Sequence, residues 1–105
     1  MDGDFFDALS NPYRRQIVRM LKWGNYSVNE ITKALEISQP SVSRHLDVLK
    51  KANIVVAERR ANQIIYSLNL SVMQEFVGKM VEFLDEIKVL KGARNYESNK
   101  GSYNN

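Results

Sequence analysis

The stretch SVNEITKALEISQPSVSRHLDVLKK, residues 27–51, decides the fold of this chain. Ser27, followed three residues later by Glu30, forms a capping box, which is a pattern typical of the start of a helix. Ser38 provides a second N-cap, directly before another helical run. We therefore predict two helices that are joined by a very short turn.

Apolar residues recur every three or four positions in both helices, which is the spacing of one buried helix face. The predicted buried residues of the helices over residues 27–35 and 39–51 are Val28, Ile31, Leu35, Val42, Leu46 and Leu49. Asn53 ends the second helix, because asparagine accepts the left-handed conformation better than most residues do. Two short helices with such a turn form a helix-turn-helix unit, whose second helix enters the major groove of DNA.

Two helices are predicted before this unit. Residues 4–9 form a short helix, and Phe5, Phe6 and Leu9 make its apolar side. A Ser10 or Asn11 cap then precedes a helix that begins at Pro12, since proline is tolerated in a first helical turn. The apolar stripe of that helix consists of Tyr13, Ile17, Val18 and Leu21, and we expect Gly24 to close it in the left-handed conformation.

A β-hairpin and a long helix are predicted after the unit. Residues 54–68 hold two runs of β-branched or aromatic residues around a polar run, which predicts a hairpin with a basic tip. Residues 70–90 carry a heptad pattern of apolar residues. The order α-α-α-α-β-β-α is that of a mainly α fold with a small β-hairpin (α+β). We predict one domain over residues 1–91 and a disordered polar tail over residues 92–105.

Polar side chains occupy the outer face of the helix over residues 39–51. Glutamine can pair with adenine, arginine with guanine, and serine with a base or a phosphate. The candidate DNA contacts of this helix are Ser38, Gln39, Pro40, Ser41, Ser43 and Arg44. Polar residues on a helix face are usually just solvated, so the prediction depends on the whole arrangement. Residues 38–63 hold five basic and two acidic side chains, and thus the whole of the net charge of +3.

The composition argues against several other functions. The chain has no cysteine and one histidine, His45, so a disulfide framework and a thiolate metal site are excluded. We expect no metal and no cofactor, and His45 is read as a packed histidine. No nucleophile–base pair and no phosphate-binding glycine loop are recognisable, which argues against an enzyme. The chain also lacks an apolar stretch of membrane-spanning length, and we expect a cytoplasmic, nucleoid-associated protein.

The heptad pattern of the last helix allows two interpretations. Its apolar face packs either within its own domain or against a second copy of the chain, and the breadth of the face favours the second copy. The predicted dimerisation residues lie on the first and last helices: Phe5, Phe6, Leu9, Met73, Phe76, Met80, Phe83 and Ile87. A twofold dimer presents two recognition helices to a pseudo-palindromic DNA site.

Three segments resemble the ArsR-type winged helix-turn-helix repressors: SNPYRRQIVRML (10–21), ISQPSVSRHLDVLKKANIV (37–55) and RRANQIIYSL (59–68). Within that family the chain is most similar to the metal-blind SdpR-type autorepressors. The resemblance implies a homodimer built on the first and last helices. It also implies that the hairpin, called the wing, touches the DNA backbone or minor groove through Arg59, Arg60, Asn62 and Gln63.

The sequence departs from the family pattern at the known metal sites and at two glycines. The stretch over residues 25–28 lacks the cysteine pair of metal-sensing members, and the last helix offers Glu75, Glu82, Asp85 and Glu86 but no histidine. The usual glycines after the recognition helix and in the wing appear as Asn53 and Asn62. Because asparagine can adopt a positive φ, we expect the same fold.

We expect a repressor that occupies a promoter as a homodimer and blocks polymerase. Two other functions remain open. The chain could be a winged-helix module that binds another protein through the apolar face of its last helix. It could also be a repressor that senses a small molecule or ion through a non-standard site. A protein partner that sequesters the chain is left open as well.

Overall fold

Side-chain caps set the helix boundaries in the computed structural model, which describes the backbone of residues 2–102 and the side chains of residues 4–88. The side chain of Asn11 accepts hydrogen bonds from the backbone N–H groups of Tyr13 and Arg14, and so caps α2. The capping box of Ser27 and Glu30 is formed at the start of α3. The helices are α1 (Asp2–Leu9), α2 (Pro12–Leu21), α3 (Val28–Leu35), α4 (Gln39–Lys51) and α5 (Leu70–Ser102).

Three antiparallel strands accompany the helices, in the order β1-β3-β2. The strands are β1 (Tyr26–Ser27), β2 (Val55–Arg60) and β3 (Gln63–Leu68). The predicted hairpin of β2 and β3 is confirmed, with Arg60 opposite Gln63, so that only Ala61 and Asn62 form its loop. Strand β1 was not predicted, because two residues are too few to show a β pattern. It pairs Tyr26 with Tyr66 on β3.

The core lies among α2, α3, α4 and the base of the sheet. Helices α3 and α4 pack through the face that the spacing of their apolar residues predicts. The fully buried large side chains are Ile17, Ile31, Val42, Leu46, Leu49 and Ile54. Tyr13 departs from the predicted stripe of α2, because it lies in the first turn and remains 39% exposed. Its ring instead lies against His45, with 5.8 Å between the ring centroids.

Two predictions about positive φ angles are wrong and one is confirmed. Asn53 has a φ of 61°, as expected after α4. In the hairpin loop the positive φ falls on Ala61 (53°) and not on Asn62, which is the φ pattern of a type II′ turn, where the first loop residue has a positive φ. Gly24 has no positive φ, and α2 ends at Lys22 in the right-handed conformation. A Cβ at Gly24 would lie 3.1 Å from the hydroxyl of Tyr26, so the Tyr26 ring would have to shift by a few tenths of an ångström to accept a side chain there.

Helix α5 extends further than predicted. It runs to Ser102, whereas the heptad pattern predicts an end near residue 90. Residues 91–102 contain no proline, and their Lys, Ala, Arg and Glu residues are good helix formers, so the helix continues past Gly92 although glycine disfavours it. The chain divides into two compact units between Val72 and Met73. The division into a domain over residues 1–91 and a tail over residues 92–105 stays a prediction, and residues 103–105 lie outside the described residues.

Candidate nucleic-acid interface

Helix α4 starts with a closed network of serine hydroxyls. Ser38 accepts a hydrogen bond from the backbone N–H of Ser41 (3.3 Å), and its hydroxyl bonds to the hydroxyl of Ser41 (2.8 Å). Ser41 and Ser43 are half-buried, while Gln39, Pro40 and Arg44 are exposed. The network uses the hydroxyls of Ser38 and Ser41 to hold the first turn, which leaves the side chains of Gln39 and Arg44 as the long exposed groups of this surface.

The wing carries its basic residues on both faces. The predicted contacts Arg59, Arg60, Asn62 and Gln63 are all exposed. Arg60 forms a 3.4 Å ion pair with Glu58 on the same strand, and both side chains are more than half exposed. Arg59 lies on the opposite face, across from Ile64 on β3. Because neighbouring residues of a strand point to opposite sides, the two arginines have different surroundings.

A cleft of about 230 Å³ joins the recognition helix to the wing. Four of its lining residues carry carboxamide side chains, and we call it the amide cleft. They come from the start of α3, the start of α4 and the tip of the wing: Asn29, Gln39, Asn62 and Gln63. Ser27, Val28 and Ile64 complete the lining. The structure thus brings three predicted contacts together and adds Asn29 and Ile64, which no spacing in the sequence singles out.

His45 is held by Arg14 and Tyr13 of α2, as expected of a packed histidine. Nη1 of Arg14 lies 3.2 Å from Nδ1 of His45, and Nε of Arg14 donates to the carbonyl of Ala8 at 2.6 Å. Burial lowers the pKa of His45 below its ordinary value, and the positive charges of Arg14 and Arg44 lower it further. Neutral imidazole is therefore favoured at this position on α4.

Asp47 lies on α4 near the sheet. Burial raises the pKa of Tyr66, and the negative charge of Asp47 raises it further. Asp47 is exposed, yet its carboxylate is close enough to act on a buried tyrosine of β3.

The predicted dimerisation residues differ in their exposure. In α1, Phe5 is buried and Phe6 is 54% exposed, and their rings meet edge to face with centroids 6.2 Å apart. Leu9 is half-buried. In α5, Met73, Phe76 and Ile87 are half-buried, whereas Met80 and Phe83 are exposed. Helix α5 also exposes Val77, Val81 and Leu84.

Metal ligands do not cluster in the part of the chain that the structure describes. Within residues 4–88, no three side chains of His, Asp or Glu come together as a group that could hold a metal ion. No helix among the described residues is both long and apolar enough to span a bilayer.

Residues 11–56 match the family profile described as bacterial regulatory protein, arsR family. The chain is also 38% identical over 84 residues to the transcriptional repressor SdpR of Bacillus subtilis, which covers 80% of this chain and 93% of the relative. The chain belongs to the ArsR family. This result confirms the resemblance that the sequence shows, including its likeness to SdpR-type members.

Two solved structures place the fold among the winged helix-turn-helix domains of ArsR-family regulators. The transcriptional repressor BigR from Xylella fastidiosa superposes with a TM-score of 0.62 at 31% identity, and covers 77% of this chain and 83% of its own. The homodimeric winged helix-turn-helix DNA-binding domain of Mb0332 from Mycobacterium bovis gives a TM-score of 0.66 at 25% identity, and covers 82% and 81%. The predicted α+β winged helix-turn-helix class is therefore confirmed.

Proposed function

We propose that this ArsR-family chain is a transcriptional repressor that binds a specific sequence of double-stranded DNA. The observation that carries the proposal is the amide cleft, where Gln39 of α4 and Gln63 of the wing line one concave surface. A recognition helix and a wing that share one surface can enter neighbouring grooves of the same duplex. The similarity of the chain to SdpR and BigR, which are both named as transcriptional repressors, supports this function.

The contacting residues differ in what they read. Arg44 is exposed on the outer face of α4 and reads a guanine in the major groove, where an arginine pairs in a bidentate manner. Gln39 and Ser43 lie beside it and contact bases or the backbone. Ser38, Pro40 and Ser41 shape the first turn at the DNA surface. Arg59, Arg60, Asn62 and Gln63 hold the wing on the backbone or in the minor groove.

The active form is a homodimer on a pseudo-palindromic site. The exposed apolar residues of α5, with Phe83 at 55% and Val77 at 60%, support pairing with a second copy. The Mb0332 domain is homodimeric, which supports the same assembly here. Two recognition helices then enter major grooves about one helical turn, or roughly 34–36 Å, apart. Bound over a promoter, such a dimer blocks polymerase.

The protein works in the cytoplasm on the nucleoid, without a metal or cofactor and without an enzymatic activity. Residues 1–91 form the DNA-binding and dimerisation domain, and residues 92–105 form a polar tail. The signal that releases the protein from DNA is a small molecule, an ion at a non-standard site or a sequestering protein.

Fluorescence anisotropy on two DNA duplexes tests the function directly. One duplex comes from the region upstream of the protein's own gene, and the other is a scrambled version of it. We expect nanomolar binding to the first, a large preference over the second, and a steep dependence on salt. Equal and weak binding to both duplexes and to fragments tiled across neighbouring promoters would contradict the proposal. The exposed apolar residues of α5 would then favour a module that binds another protein.

A further inference from the structure

The amide cleft differs from the rest of the proposed DNA surface in its charge. Arg59 and Arg60 lie opposite the lining residues Ile64 and Gln63 in the hairpin, yet the residues that line the cleft are all uncharged. Four of the seven lining residues are Asn or Gln, and they come from three separate elements of the fold. The cleft is therefore a neutral region, rich in hydrogen-bond donors, within a basic surface.

The position of the cleft indicates which part of DNA it faces. If α4 enters a major groove and the wing tip enters the adjacent minor groove, one sugar–phosphate strand runs between them. Gln39 at the start of α4 and Asn62 at the wing tip lie on either side of that strand. This step rests on the function proposed above.

The chemistry of the cleft suits a phosphate. Each carboxamide offers two N–H donors, and phosphate oxygens in DNA only accept hydrogen bonds. Asn and Gln side chains are regular partners of DNA phosphates. Two backbone N–H groups at the start of α3 already have partners within the chain. The N–H of Ser27 donates to the side chain of Glu30 (2.9 Å), and the N–H of Glu30 donates to the hydroxyl of Ser27 (3.2 Å). The capping box thus uses these two N–H groups, and the carboxamide side chains are donors that the cleft itself presents.

We propose that the amide cleft holds one backbone phosphate of the DNA strand between the two grooves, with Asn29 of α3 and Gln63 of the wing as its donors. Asn29 thus becomes a DNA-contacting residue on α3, outside both the recognition helix and the wing. Such a contact positions the protein on the duplex without reading a base. It differs from an arginine contact because a neutral donor releases no additional counterions.

Anisotropy titrations across a range of salt concentrations test this proposal with Asn29→Ala and Gln63→Ala. Each variant should weaken binding by about fivefold, the net value of one hydrogen bond, on the cognate and the scrambled duplex alike. The slope of log Kd against log salt should stay at the wild-type value. Arg59→Ala, in contrast, should reduce that slope by about 0.9. Asn25→Ala, in the exposed loop before β1, is the matched control and should bind like the wild type.

Methylphosphonate substitution identifies the phosphate itself. Replacing backbone phosphates one at a time should reveal a position where the wild type loses affinity and where Asn29→Ala shows little further loss. Circular dichroism confirms that the variants are folded. Wild-type affinity in both alanine variants, or a loss confined to one base pair, would overturn the phosphate site while leaving the repressor function intact. Failure of the wild type to bind any duplex would overturn both.

Discussion

Nη1 of Arg14 lies 3.2 Å from Nδ1 of His45, so that one guanidinium joins α2 to the recognition helix. Arginine can only donate hydrogen bonds, so Nδ1 of His45 accepts and the ring proton sits on Nε2. The same guanidinium donates to the carbonyls of Ala8 and Asp7 at the end of α1. The hydrogen bond from Arg14 to His45 therefore requires neutral His45. The same guanidinium connects α1, α2 and α4.

Acid should destabilise the fold through His45. Because burial and two nearby arginines lower the pKa of His45 below 6.5, the unfolded chain binds a proton more readily than the folded one. The stability that neutral His45 contributes should therefore be fully present above pH 6.5, the ordinary pKa of histidine, and should be lost progressively as the pH falls below that value. The chain has one histidine and no cysteine, so His45 is the side chain whose ordinary pKa lies in this pH range.

An NMR titration of the single histidine ring measures that pKa directly. Urea unfolding of the wild type at about pH 7 and about pH 5.5 should show the loss of stability, since histidine titrates between these values. His45→Gln, which has no titrating ring, should remove most of the difference. A ring pKa at or above 6.5 would contradict the assigned hydrogen bond.

The wing loop should gain stability from a glycine at position 61. Ala61 has a φ of 53°, where an L side chain is strained and glycine is not. Ala61→Gly should raise the free energy of unfolding by about 0.5 to 1 kcal/mol, after the greater flexibility of glycine in the unfolded chain is included. Asn62→Gly is the matched control in the same loop and should not raise the free energy of unfolding. Denaturant unfolding measures both, and equal effects at the two positions would argue against the turn.

Arg44 and Arg59 should contribute to DNA binding in different ways. Arg44→Ala should cost about 1 to 3 kcal/mol on the cognate duplex and relax the base preference at one position of the site. Arg59→Ala should weaken binding to all sequences to a similar degree and flatten the dependence on salt. Anisotropy with a panel of single-base variants separates the two effects. A uniform loss in Arg44→Ala would remove that residue from direct readout.

The exposed apolar residues of α5 should hold the dimer together. Phe83→Glu places a charge on this face and should shift the protein to a monomer, with a loss of at least about tenfold in affinity for a two-half-site duplex. Gln74→Glu adds the same charge at an exposed polar position of the same helix and is the control. Analytical ultracentrifugation measures the oligomeric state. A stable dimer in Phe83→Glu would place the interface elsewhere.

The sequence predicts the parts of this fold that depend on local signals. Ser27, Glu30 and Ser38 mark the starts of α3 and α4, and the spacing of apolar residues identifies the buried face of both helices. The positive φ of Asn53 follows from the preference of asparagine alone.

Long-range features were not predictable in the same way. The two residues of β1 become a strand only because Tyr66 lies beside Tyr26, and the close approach of the Tyr26 ring to Gly24 is likewise a feature of the folded chain. Ala61 takes the positive φ because the pairing of Arg60 with Gln63 makes it the first loop residue, against the preference of the asparagine that follows. Asn29 and Gln63 line one cleft through tertiary packing, and no spacing along the chain shows that they do.

The pairing of Tyr26 with Tyr66 has a consequence for the order of folding. Helices α3 and α4 carry their own caps and can form early, since their contacts are local. Strand β1 can pair with β3 only after the chain between them has closed into a loop. This closure costs conformational entropy before the contacts between the strands form. We expect Ser38→Ala to slow folding, and Tyr26→Ala mainly to speed unfolding, with φ-values from stopped-flow kinetics high at the first position and near zero at the second. The small strand that joins the helical unit to the wing would then be the last part of the sheet to form and the first to be lost.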